Sequence, residues 1–287
     1  MLARVMRAPP LVVFGCGFTG TVAAGMRHAE GARVIATTRD PTRAAALTQA
    51  GIEAHAVPAL TPAEAGRLVP EGADVLITCP PDPAADEAVA AALVGARARG
   101  VAYISSTGVY GGAVGPVDEE TPVDPADARA AARLRAEALY LARGAVILRA
   151  PGIYGPGRGL HRRLIRGEHR LVNGGHNVVS RIHVEDLARL ALAALGQGLR
   201  GEIFVVGDDA PVPQIEVVTW LCGRLHLPLP PAAAPGEVHE SLRHDRAAQN
   251  ARIKAALGLP LLYPSYREGF EACLAVESAG SAASVSA

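Results

Sequence analysis

Through the first 150 positions, short apolar runs alternate with stretches whose apolar residues recur at helical spacing. The run over 11–14 ends at Gly15 and is followed by helical periodicity over 18–29, so the chain opens with a strand, a glycine turn and a helix. The same reading predicts strands over 33–37, 52–57, 74–78, 101–105 and 145–149. Between them it places helices over 41–50, 62–69, 84–99 and 128–143, the last entered through a loop over 111–127 rich in Gly, Pro and acids. Strands alternating with helices of these lengths require crossover connections, and therefore a doubly wound parallel sheet in an α/β fold.

Beyond Pro151 the pattern loosens. It predicts a loop over 152–159, a basic helix over 160–167, a strand near 178–182, a helix over 184–195 and a strand over 202–206. Two further helices fit 214–225 and 245–257, with a proline-rich connector over 228–235. Residues 1–150 are expected to form one domain and 151–277 a smaller, interleaved α/β lobe. Residues 278–287, Ser and Ala with one Gly and one Val, have little to bury and are expected to be a disordered tail.

Composition sharpens this in three ways. Lys plus Arg equals Asp plus Glu at 28 each, so no global field draws the protein to nucleic acid or an anionic membrane. Lys254 is the sole lysine, which leaves arginine to supply the other basic side chains. Cys16, Cys79, Cys222 and Cys273 are too widely spaced for a CxxC pair, and no apolar stretch is long enough to span a membrane. These observations predict reduced thiols in a cytoplasmic protein. The His239-Glu240 and His244 spacing is one residue too long to put two rings on one helical face, so no metal is expected.

Gly15-Cys16-Gly17-Phe18-Thr19-Gly20 is GxGxxG between a strand and a helix, the context of a Rossmann dinucleotide site. The first glycine permits the turn, the second clears the way for a pyrophosphate, and the third lets helix and strand approach. An acid closing the second strand would hold the ribose of NAD, but Thr38 and Arg39 stand there. Arg39, aided by Arg43, suits a 2′-phosphate, so NADP is preferred and NAD is the alternative.

Five stretches besides the glycine turn extend the pattern: Ser105-Ser106-Thr107-Gly108-Val109-Tyr110-Gly111, Asp118 to Pro122, Arg149 to Arg158, Arg181-Ile182-His183-Val184-Glu185-Asp186, and Arg246 to Asn250. With these the chain resembles the extended short-chain dehydrogenase/reductases, the NAD-dependent epimerases and dehydratases. The resemblance implies an oxidoreductase or epimerase acting on a sugar or nucleotide-sugar-like alcohol or ketone, and a homodimer built on the helix over 128–143. It places Ser106 on the substrate oxygen. Phe18, Thr19, Cys79, Ser105, Arg133, Pro151 and Ile153 are implied at the cofactor, and Tyr154, Arg158, Arg181 and His183 toward substrate.

The family's proton-relay pair, Tyr and Lys at YxxxK, is missing. Alignment through Glu137 puts Arg129 and Arg133 in those places, and no tyrosine of this chain has a lysine four residues on. A guanidinium does not release a proton near neutral pH. The chain thus resembles the atypical branch that lacks YxxxK. Tyr110 and Tyr154 are the candidate replacement acids, and the alternative is a non-catalytic NADP(H)-binding sensor or scaffold. The basic series Arg158, Arg162, Arg163, Arg166 and Arg170 is a candidate phosphate-binding face.

Overall fold

The computed structural model describes residues 8–233 and 245–285. The expected alternation forms a seven-stranded parallel sheet in the order β11-β7-β5-β4-β1-β2-β3. The strands are β1 (Leu11–Phe14), β2 (Val34–Thr38), β3 (Glu53–Ala56), β4 (Asp74–Ile77), β5 (Gly100–Ser106), β7 (Val146–Ala150) and β11 (Ile203–Val205). Helices α1 (Phe18–Ala29), α2 (Pro41–Gln49), α3 (Pro62–Leu68), α4 (Pro83–Gly95) and α5 (Ala128–Leu141) connect them. Period-two alternation decides the core. Val12 and Phe14, Val75 and Ile77, and Val101 and Tyr103 share one cluster with Ala88, Val89, Ala92 and Leu93 of α4 and with Ala136 and Tyr140 of α5.

The chain divides into two compact units that do not follow a single cut. One takes residues up to Val109, then Pro125–Arg149 and Leu187–Phe204; the other takes Tyr110–Asp124, Ala150–Asp186 and the residues from Val205 onward. The second unit carries α6 (Leu160–Ile165) and α8 (Gln214–Leu225), and its small sheets use strands that sequence periodicity missed. Strand β8 (Gly152–Tyr154) runs through what was expected to be loop and pairs in parallel with β10 (Arg181–His183). A four-stranded sheet has the order β12-β9-β13-β6, from β12 (Val212–Pro213), β9 (Val178–Val179), β13 (Arg246–Ala248) and β6 (Gly115–Val117).

Three expectations need correction. The single strand expected near 178–182 is two strands in two sheets. Ser180 between them turns its hydroxyl to Arg246 O (2.9 Å) and accepts from Ala248 N (2.7 Å). The helix expected over 245–257 is β13, then α9 (Ala251–Leu257); pairing of Arg246 to Ala248 with Gly115 to Val117 overrides the helical preference of its alanines. Most of the expected disordered tail is helical backbone, since α10 spans Tyr266–Val285. Its start was legible: Ser265 and Glu268 have capping-box spacing, and Ser265 N donates to Glu268 Oε2 at 3.0 Å. A last helix, α7 (Val184–Gly196), runs from one unit into the other. The four cysteines are free thiols, and among the described residues no helix is long and apolar enough to cross a membrane. The His239, Glu240 and His244 stretch lies outside the described residues.

Candidate functional site

The glycine turn is built by its neighbours. Gly15 N donates to Thr37 Oγ1 (3.1 Å), Cys16 N to Thr37 O (2.6 Å), and Thr78 Oγ1 to Gly15 O (2.7 Å). Thr37 and Thr78, which sequence reasoning missed, thus fix the loop from the ends of β2 and β4. Gly15 has φ +78°, and a Cβ there would stand 2.5 Å from Cys79 Cβ and 2.7 Å from its backbone nitrogen. A Cβ on Gly20 would come within 2.9 Å of Val13 Cγ1 and 3.0 Å of Thr78 Oγ1. Gly17 differs: the nearest atoms to a Cβ there are 3.7 Å away. No protein packing demands a glycine at 17, and the space beside its backbone is open.

Capping points the same way. Helices α2 to α5 are capped by the side chains of Asp40, Thr61, Asp82 and Asp127. Helix α1 has no side-chain cap and no acid in its first turn. Its positive dipole end, with Phe18 and Thr19 in the first turn, fits an anion. These residues therefore fit a dinucleotide pyrophosphate.

At the end of β2, Thr38 Oγ1 accepts from Asp40 N (3.2 Å), and the Asp40 carboxylate caps α2 through Thr42 N (2.9 Å) and Arg43 N (3.3 Å). The one nearby acid is thereby committed. Arg39 and Arg43 are exposed, and no hydrogen bond or ion pair of either guanidinium is found among the described residues. Cys79 lies against Gly15, its thiol pushed up to about 11 by burial, so it packs as a neutral group.

Around β5 the expected residues separate. Ser105 is buried and donates its hydroxyl to Glu137, which also holds Arg149 in a buried bidentate pair (2.8 and 3.2 Å). Its side chain therefore joins α5 to the sheet rather than facing a ligand. Ser106 is partly exposed and accepts from Gly108 N (3.0 Å), which leaves its own proton to donate. Arg133 Nη1 donates to Tyr103 Oη (2.9 Å) and Ile104 O (3.3 Å), so this side chain is anchored to β5. Arg129 is exposed at the start of α5.

Five of the six tyrosine hydroxyls have hydrogen-bond partners among the described residues. Tyr110, a candidate replacement acid, is buried and donates its hydroxyl to Asp118 O (2.6 Å). Tyr140 donates to Asp86 (2.7 Å), Tyr263 to Glu185 (2.8 Å) and Tyr266 to Glu216 (2.9 Å), while Tyr103 accepts from Arg133. Burial raises the pKa of Tyr103, Tyr140 and Tyr154 well above that of a free phenol. Tyr154 is the exception in bonding: its buried hydroxyl has no partner among the described residues.

In the second unit, Pro151 lies between β7 and β8, and Ile153 is within β8. His183 is buried, accepts from Glu185 N (3.3 Å) and contacts Cys273 Sγ (3.6 Å), so its ring is a packing element. The expected phosphate-binding face is largely committed internally. Arg162 pairs with Glu277 (3.1 Å), Arg166 with Glu168 (2.9 Å), and Arg170 donates to Gly167 O and His169 O. Arg158 is exposed, in a turn closed by its backbone bonds to Gly155. Arg181 is buried beside Asp208, whose backbone N donates to Arg181 O (2.7 Å). Sequence reasoning did not single out Asp208.

Residues 11–207 match the NAD dependent epimerase/dehydratase family. The chain belongs to that family. A conserved protein of unknown function from Silicibacter pomeroyi is 34% identical, with a TM-score of 0.81, the match covering 93% of this chain and 99% of that one. MoeE5, solved with UDP-glucose and NAD, is 22% identical with a TM-score of 0.76 over 92% of this chain and 96% of its own, and shares the fold. A curated Streptomyces protein, 3-diazoavenalumate denitrifying reductase, is 32% identical over 167 residues. That match takes in 53% of this chain and 55% of the reductase, so it spans about half the length of the curated relative. The family supports a nicotinamide cofactor, in keeping with the glycine turn.

Proposed function

We propose that this epimerase/dehydratase family member is an NADP(H)-preferring reductase whose acceptor takes a hydride without a proton from a tyrosine. The observation carrying this reading is the set of tyrosine partners: five hydroxyls are engaged by protein groups, while alignment through Glu137 sets Arg129 and Arg133 against the family's Tyr and Lys. A sugar ketone needs a proton as it gains hydride. An acceptor that expels a leaving group does not. In the diazo class named for the Streptomyces relative, a diazonium carbon ends as C–H while dinitrogen departs with the bonding pair, and no net proton is taken up.

The reduced cofactor, when bound, would supply the hydride. The glycine turn and the α1 N-terminus hold its pyrophosphate, Arg39 and Arg43 its 2′-phosphate, and Ser106 donates to a polar group of the acceptor. A nucleotide-linked substrate such as that of MoeE5 is the broader family alternative.

A fluorescence titration with NADPH and NADH, followed by turnover with aryl diazonium salts, ketones and nucleotide sugars, tests this. Expected are tighter NADPH binding, turnover of the proton-independent acceptor, and loss of the cofactor preference in an Arg39→Ala/Arg43→Ala variant. Ketone reduction at comparable rate would overturn the acceptor class. The second reading, a sensor that binds NADP(H) without reaction, is favoured by the simultaneous absence of Tyr and Lys. Tight binding with no turnover of any acceptor, unchanged by Ser106→Ala, would establish it.

A further inference from the structure

Buried polar atoms without partners gather in one part of the second unit. Arg181 is 6% exposed, its Nη1 has no hydrogen-bond partner, and it makes no ion pair among the described residues. Asp208 is 3% exposed, with Oδ1 accepting from Ala210 N at 3.3 Å and Oδ2 left without a partner. Tyr154 is 3% exposed with an orphaned hydroxyl. That hydroxyl lies so close over Gly269 that a Cβ there would stand 1.9 Å from it. The three groups sense one another: Arg181 and Asp208 both act on the Tyr154 phenol, and each acts on the other.

A guanidinium taken out of water without a counter-charge is strongly unfavourable, and water alone does not neutralise it. The carboxylates around it are already committed. Glu216 accepts from Tyr266 (2.9 Å) and pairs with Arg267 (3.5 Å), Glu268 holds Ser265, and Asp209 holds Asn250 and Lys254 (both 2.7 Å). Burial, reinforced by the carboxylates of Asp209 and Glu268 and opposed by Arg181, pushes Asp208 up to about 7. Below that pH its carboxyl carries a proton and can donate. Arg181 additionally faces Glu216 and the phenols of Tyr154 and Tyr266, its guanidinium 5.7 Å from the centre of the Tyr266 ring. What remains is a set of donors with one positive charge, beside the apolar rings of Tyr154, Tyr266 and Phe270.

We propose that Arg181, Tyr154 and Asp208 form a receptor, within the second unit, for a carboxylate monoanion carrying an apolar body. A diphosphate is disfavoured, because one guanidinium does not balance its charge and Arg162 and Arg166 are already ion-paired. The anion accepts from the guanidinium, the phenol and the protonated Asp208, and so binds together with one proton.

Calorimetric titration of the full chain with benzoate, benzamide and inorganic diphosphate, at pH 6 and pH 8 and with or without NADPH, tests this. Benzoate is expected to bind, about tenfold more tightly at pH 6 than at pH 8, as one proton linked to a group titrating near 7 requires. Benzamide and diphosphate are expected to bind at least tenfold more weakly. Arg181→Met should reduce benzoate affinity at least tenfold and Tyr154→Phe several-fold, while Asp208→Asn should abolish the pH dependence. If Arg181→Met fails to fold, Arg181→Lys keeps the charge and loses the fork, and should weaken binding several-fold. No benzoate binding, equal binding of benzamide, or tighter binding of diphosphate would overturn the proposal. Benzoate binding is expected with or without NADPH, so loss of NADPH affinity alone leaves this site standing.

Discussion

Alanine substitution at Gly17 and at Gly20 separates a glycine required by a ligand from one required by the fold. At Gly20 the added methyl meets Val13 Cγ1 at 2.9 Å and Thr78 Oγ1 at 3.0 Å, so α1 must lift from the sheet. Overpacking of this kind costs roughly 1–3 kcal/mol, or several degrees of Tm in a chain of this size. At Gly17 the methyl has no neighbour nearer than 3.7 Å. Helix-terminal surface changes of that sort usually stay within about 0.5 kcal/mol. The same methyl stands on the approach to the uncapped α1 N-terminus, so a pyrophosphate could no longer sit against the backbone. Gly17→Ala should therefore keep the wild-type Tm while NADPH affinity falls at least tenfold, about 1.4 kcal/mol. Gly20→Ala should lose both stability and affinity. Scanning calorimetry and a cofactor fluorescence titration on the same preparations supply the two numbers. A Gly17→Ala protein that binds NADPH normally, or melts as early as Gly20→Ala, would refute the assignment of the turn.

Three further predictions follow from buried charges. Glu137→Leu removes the buried carboxylate that pairs with Arg149, and should destabilise by roughly 3–5 kcal/mol in urea unfolding, while adding Arg149→Met should restore most of the loss. Tyr154→Phe removes a buried hydroxyl that has no protein partner, so ligand-free stability should hold or rise, unlike Tyr140→Phe, which breaks the bond to Asp86. Asp208 holds its proton up to about 7 in the folded chain, against an ordinary 3.8. The folded state therefore binds the extra proton between those values, and stability from this group falls as pH rises through them. Asp208→Asn should flatten that slope and stabilise the protein at pH 8 by a few kcal/mol; an unchanged slope between pH 4 and pH 7 would count against the buried carboxyl.

The elements that periodicity placed most accurately are those whose limits are set locally. Helices α1 and α8 and strand β1 stand at the residues the apolar spacing marks, and Asp40, Asp82 and Asp127 cap helices where a turn residue precedes a periodic run. The short strands β6, β8 and β12 carry two or three residues each, too few for a period to register, and exist because distant partners supply their hydrogen bonds. The alanines of β13 illustrate the conflict directly, since their local preference is helical and their pairing with β6 is not.

For the site, sequence alone determined the glycine turn, the missing acid at the end of β2, and the loss of Tyr and Lys, because each is a matter of residue type at a fixed spacing. Only the tertiary structure decided which side chains are already committed. Tyr110 gives its hydroxyl to Asp118, Ser105 to Glu137, and Arg162 pairs with a glutamate 115 positions away. It likewise revealed that Arg181, Asp208 and Tyr154 each bury one polar atom that has no partner among the described residues. Hydrogen-bond capacity belongs to a residue and is written in the chain; whether it is spent depends on neighbours that folding brings from far away, and that is fixed by packing rather than by spacing.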